Sequence, residues 1–88
     1  MSRIIVERNF EPPLTEEELK ATEARMAPCL ELYDVRWLRS FWSGDRRRMI
    51  CEYEAQDVAS VRNVQREAAA KFERVWAADV LEETPIAP

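Results

Sequence analysis

The chain has 88 residues, one small domain, and a domain of this size buries only about 60–65% of the surface its unfolded chain exposes, so self-association would add stability. Its net charge of −4 argues against nucleic acid as a partner, since phosphate contacts need a basic surface. The absence of histidine removes the commonest general base near neutral pH and the commonest transition-metal ligand, and 1 glycine is too few for a Gly-rich phosphate loop.

No apolar run reaches the ~20 residues of a membrane span. At the N-terminus, Ile4-Ile5-Val6 gives way at once to Glu7-Arg8, unlike a signal peptide, so a cytoplasmic home without a membrane partner is expected. Residues 3–11 alternate, with Ile4, Val6 and Phe10 on one side and Ile5, Glu7 and Asn9 on the other. This predicts a strand ended by Pro12-Pro13. Thr15 with Glu18 forms a capping box, and Glu16, Glu17 and Glu18 suit the first turn of a helix. Leu19, Met26, Leu30 and Tyr33 recur at helical spacing as its buried stripe. Pro28 falls inside that helix and should kink or restart it near Ala27; Asp34 ends it.

Residues 35–54 then read as a hairpin around Ser43-Gly44-Asp45. A two-residue turn at Gly44-Asp45 would pair Phe41 with Arg48, Leu38 with Cys51 and Trp37 with Glu52. One face would carry Arg36, Leu38, Ser40, Met49, Cys51 and Tyr53, and the other Val35, Trp37, Arg39, Phe41, Arg48, Ile50, Glu52 and Glu54. Asp57 or Ser60 starts a second helix with the apolar stripe Val58, Val61, Val64, Ala68 and Phe72, and the alanine run 68–70 favours its continuation. Residues 75–81 read as a last strand, closing a single domain over 1–82 and leaving 83–88 as a frayed tail.

The order strand–helix–strand–strand–helix–strand is α+β and ferredoxin-like, βαββαβ: a four-stranded antiparallel sheet with two helices on one face. Strand one should lie beside strand three, with the first hairpin strand at an edge. The uncovered face, with Ile5, Val35, Trp37, Phe41 and Ile50, is too apolar for water and predicts pairing with a second copy, as a homodimer of the dimeric α+β barrel type or a higher homo-oligomer.

Several stretches resemble one bacterial family: Ile5-Val6-Glu7-Arg8, Ala27-Pro28-Cys29-Leu30, Val35-Arg36-Trp37 with Ser40, Met49-Ile50-Cys51-Glu52-Tyr53-Glu54-Ala55, and Arg74-Val75-Trp76. The chain resembles, over residues 3–81, a family of small ferredoxin-like proteins of largely unknown function that includes nickel-binding members. The resemblance implies a ferredoxin-like fold, oligomerisation through the sheet and nickel binding.

Glu7, Glu52 and Glu54 are the candidate metal ligands, expected on one face of strands ~4.8 Å apart. An all-oxygen set suits Mg²⁺, Ca²⁺ or Mn²⁺ better than nickel; the competing reading has these carboxylates paired with Arg39, Arg8 or Arg48. Val35, Trp37, Arg39, Phe41 and Ile50 form either a small-molecule pocket, with Arg39 holding a carboxylate, or a dimer interface. Arg46, Arg47 and Arg48 are an anion or partner contact, or a solvated hairpin tip guarding an edge strand. Cys29 and Cys51 fit no CxxC motif and read as small buried hydrophobes; Cys29 could otherwise carry a lowered thiol pKa. The functional expectation is a non-catalytic metal- or ligand-binding module. The alternatives are a cofactor-free isomerase or monooxygenase, with Glu52 as acid or base beside Trp37, and a pure protein-interaction module.

Overall fold

The computed structural model describes residues 1–83. Along the chain come β1 (Ser2–Asn9), α1 (Glu16–Leu32), β2 (Arg36–Trp42), β3 (Arg48–Ala55), α2 (Val58–Glu67) and β4 (Arg74–Ala78). The strands pair antiparallel in the order β2-β3-β1-β4. This is the expected ferredoxin-like topology, with β1 beside β3 and β2 at an edge. Alternation decides which residues meet the helices: Ile4 and Val6 of β1 and Met49, Cys51, Tyr53 and Ala55 of β3 pack with Met26 of α1 and Val61 and Val64 of α2. Among the described residues no helix is long and apolar enough to cross a membrane.

Local chemistry sets the helix ends. Thr15 Oγ1 accepts from the Glu18 backbone N–H (3.1 Å), and Glu18 Oε1 accepts from the Thr15 N–H (3.3 Å), which completes the capping box. Asp57 caps α2, its carboxylate accepting from the Ser60 N–H (2.8 Å). That bond and the one from the Ser60 hydroxyl hold the Asp57 carboxyl below its ordinary range. Both helices close with the same loop. Val35 N–H reaches Leu30 O and Asp34 N–H reaches Glu31 O; Ala70 N–H reaches Gln65 O and Ala69 N–H reaches Arg66 O. These are Schellman motifs, with Asp34 (φ 53°) and Ala69 (φ 54°) in the left-handed position.

Four expectations are corrected. First, α1 runs unbroken through Pro28 to Leu32, because one missing N–H is tolerated within an otherwise intact ladder. Second, the alanine run ends α2 instead of extending it, so Phe72 lies beyond the helix. Third, β4 starts at Arg74 and stops at Ala78, and of the expected tail residues 84–88 lie outside the described residues.

The fourth concerns the hairpin. Its loop is longer than a two-residue turn: Ser43 N–H bonds Arg48 O (2.9 Å) and Arg46 N–H bonds Ser43 O (2.9 Å), with Arg46 at φ 65°. Phe41 therefore faces Ile50, Ser40 faces Cys51, and Arg39 faces Glu52. A bulge between Trp37 and Arg39 then shifts the register, so that Trp37 faces Tyr53 and Arg36 faces Glu54. Directly opposed residues share a face. Trp37 consequently belongs to the helix side of the sheet, not to the open side with Phe41. Val35, also expected on the open face, is buried in the core, where its N–H closes the α1 cap.

Candidate functional site

The open face is built from alternate residues of the four strands: Arg3, Ile5 and Glu7 of β1, Ile50, Glu52 and Glu54 of β3, Arg39 and Phe41 of β2, and Arg74 and Trp76 of β4. Phe41, Trp76 and Ile50 are exposed there at 56%, 44% and 37%. Around them run ion pairs. Glu52 accepts from Arg3 Nη1 through one oxygen (2.8 Å) and meets Arg39 Nε through the other (3.3 Å). Glu7 Oε2 accepts from the Trp76 indole N–H (2.7 Å) and lies 3.4 Å from Arg74 Nε. Glu54 makes no ion pair among the described residues. The structure thus brings Glu7, Glu52 and Glu54 to one face, with both oxygens of Glu52 and one of Glu7 committed to basic or indole N–H donors.

The other sequence-predicted residues are dispersed. Trp37 and Glu52 stand on opposite faces, so Glu52 is not buried against the Trp37 indole as the acid–base reading required. Arg46 stacks over the Trp42 ring (4.0 Å to the centroid), and Arg47 pairs with Glu11 (3.3 Å). Their carbonyls accept from Leu14 and Phe10 N–H, which fastens the hairpin tip to the β1–α1 connection. Arg48 sits opposite Asn9. Arg46 and Arg47 are thus engaged at the hairpin tip, whereas the Arg48 side chain makes no ion pair among the described residues. At the tip, the Ser43 hydroxyl and the Arg47 N–H hold the Asp45 carboxyl below its ordinary range. Cys51 is buried in the core; Cys29 is half-buried, its thiol directed at Arg25 O (3.6 Å).

On the helix side lies a feature that sequence reasoning passed over. Arg8 is 6% exposed and points into the layer between the sheet and the helices. Its Nη1 donates to Lys71 O (2.9 Å), and its Nη2 donates to Gln65 Oε1 (2.6 Å) and Tyr53 Oη (3.2 Å). Tyr53 in turn donates to Met26 Sδ (3.4 Å). Burial, the largest influence, pushes the Tyr53 phenol up to about 12 despite the opposing pull of Arg8. The signal was present in the alternation, since Arg8 occupies the same side of β1 as Ile4 and Val6. Two cavities flank this guanidinium. One of about 300 Å³ is lined by Arg8, Phe10, Leu14, Arg25 and Lys71 among others. The second, about 250 Å³, is lined by Arg8, Met26, Leu30, Trp37, Cys51 and Tyr53.

Comparison with known proteins gives two findings. The model of the family described as nickel responsive protein SCO4226-like matches residues 5–77. The chain belongs to this family. Among solved structures, the crystal structure of SCO4226 from Streptomyces coelicolor A3(2) superposes with a TM-score of 0.80 at 11% identity, covering 92% of this chain and all of that one. At that identity the likeness concerns the fold. No curated protein matches the chain.

Membership raises the question of nickel, and the donor set answers it for one chain. Nickel favours imidazole and thiolate ligands. There is no histidine, and among the described residues no group of three or more His, Cys, Asp or Glu side chains is placed to hold a metal. The residues of one chain do not fit a nickel centre.

Proposed function

We propose that this SCO4226-like chain is a non-catalytic, cytoplasmic binding module that works as a homodimer joined through its open sheet face. The observation that carries the reading is the exposed strip of Phe41, Ile50 and Trp76 set among charges of both signs. Water is a poor solvent for such a strip, and a second copy is a good one. In a two-fold pairing the same patch meets itself, so a surface carrying both arginines and glutamates is self-complementary whereas a single-sign surface repels. Here Arg3, Arg39 and Arg74 stand among Glu7, Glu52 and Glu54.

The family is described as nickel responsive, which bears on the same surface. With one chain unable to supply a ligand set, a cation held by Glu7, Glu52 and Glu54 requires both copies, and its oxygen donors favour Mn²⁺ or Mg²⁺ over Ni²⁺.

The test is a charge placed on the most exposed aromatic residue of the strip. Phe41→Asp should raise the dimer dissociation constant by roughly 30-fold or more, the effect of removing an aromatic hot spot worth about 2 kcal/mol. Phe41 is exposed and outside the core, so circular dichroism of the variant should match wild type. Size-exclusion chromatography with light scattering reads the result. Equal masses for the two proteins across micromolar concentrations would overturn the proposal.

A further inference from the structure

We propose that the cleft between α1 and the sheet binds an organic monocarboxylate with an apolar body, its head held by Arg8. The two cavities share Arg8, Leu19, Thr22 and Met49 in their walls. The α1 walls of these cavities include the small side chains Ala21, Thr22 and Ala27, and Met26 is the one residue of α1 that is buried. The larger cavity is the charged one: Arg8, Arg25 and Lys71 outnumber Glu18 in its walls. The smaller is almost wholly apolar, walled by Met26, Leu30, Trp37, Met49 and Cys51, with Glu23 its single carboxylate. An elongated anion with one charged end matches that division.

The hydrogen-bond balance around Arg8 points the same way. A guanidinium carries five N–H donors and no acceptor. Among the described residues Arg8 has neutral acceptors only and takes part in none of the ion pairs. Beside it, Gln65 is fully buried; its Oε1 is used by Arg8, and among the described residues its Nε2 has no acceptor. The cluster is therefore rich in donors and short of acceptors, with a buried positive charge uncompensated. Burying a charge without a counter-charge is costly. A carboxylate, which is acceptor-only and negatively charged, supplies the missing counter-charge and an acceptor for the guanidinium N–H groups that these three bonds leave over. Glu18 does not take that role: its Oε1 caps α1 at Thr15, and among the described residues it forms no ion pair with Arg8. Arg25, which donates to Ala68 O (2.8 Å) and Thr22 Oγ1 (3.3 Å), and Lys71 are exposed, so water already screens their charge; Arg8 is the buried anchor and the other two add secondary attraction.

The bulge in β2 gives the cleft its outer wall. By turning Trp37 to the helix side, it sets the indole at the mouth of the apolar cavity, where its N–H is tied to Ser40 Oγ (2.9 Å). Trp76 lies on the opposite face of the sheet, which makes it an internal control.

The experiment titrates the wild-type chain with octanoate, octanol and octylammonium while following indole N–H resonances by two-dimensional NMR, with Trp37 assigned by Trp37→Phe. Octanoate should shift the Trp37 signal saturably and leave Trp76 in place. Octanol should bind more weakly by roughly tenfold or more, the loss expected for a charge-assisted pair, and octylammonium more weakly still. Ala27→Phe, at an exposed α1 position lining the apolar cavity, should abolish the shift with the fold intact. Arg8→Met should weaken octanoate alone, provided circular dichroism shows it folded; the three-ligand comparison on wild type stands without it. Equal binding of all three ligands, absence of octanoate binding, or a response confined to Trp76 would each overturn the assignment. Dimerisation is not involved in any of these readouts.

Discussion

Ala69 stands where a helix usually places glycine. Its φ of 54° belongs to the left-handed region, and its Cβ makes that conformation cost about 1 kcal/mol or more. The Schellman bonds from Ala69 and Ala70 hold it there. Ala69→Gly should therefore stabilise the fold by about 1 kcal/mol in urea denaturation, with an unchanged m-value; a loss of stability would show the strain to be absent. The same residue explains a misreading. Three successive alanines favour helix by propensity, and nothing in them announces a left-handed stop, so the end of α2 was not legible. Arg8 was legible as a charge at an inward position of an alternating strand, although nearby glutamates make cross-strand pairing the more obvious expectation for it. Tyr53, bonded to Arg8, carries a test of that cluster. A phenol pushed up to about 12 in the folded state from the ordinary 10.0 contributes stability that is complete below pH 10 and is lost as pH rises toward 12. Tyr33 is raised too, first by its hydrogen bond to Glu67 (2.6 Å). In Tyr33→Phe the remaining Tyr53 phenolate absorbance should appear only near pH 12; ionisation near 10 in a folded chain would contradict the buried network.

At the scale of elements, capping chemistry and hydrophobic spacing decided what formed. The Thr15–Glu18 box and the Asp57 cap were visible as short-range pairs, and both helices start where those pairs put them. Thr15→Ala should cost about 1 kcal/mol, measured by denaturant. Pro28 is the opposite case: it sits inside α1 with no break in the helix. Pro28→Ala restores a ladder bond at an exposed position and should raise stability by roughly 1–3 kcal/mol, less whatever entropy the proline removes from the unfolded chain. A fall in stability would mean that the proline shapes α1 against the sheet. The hairpin strands were legible but their register was not. The loop is two residues longer than a tight turn, and such a slip keeps every side chain on its face. The bulge adds one residue and reverses the faces beyond it, which is how Trp37 left the open side. Alternation alone carries no mark of a bulge.

For the whole molecule, the topology followed from the order of elements, whereas the two proposals divide between its two faces. The helix side holds the Arg8 cleft, and the open side holds the strip of Phe41, Ile50 and Trp76 with its ion pairs. The expected metal trio does share the open face, yet Glu52 and Glu7 are engaged by Arg3, Arg39, Arg74 and Trp76. A sequence cannot report those pairs, because they depend on which long side chains reach across neighbouring strands. The measurement that tests the dimer most directly is native mass spectrometry of the chain at low micromolar concentration, purified without added metal and then titrated with Ni²⁺, Mn²⁺ and Mg²⁺. We expect the mass of two chains before any metal is added, and bound cation, where it occurs, on that species alone. A monomer at every concentration, or a single chain carrying metal, would contradict assembly through the open face.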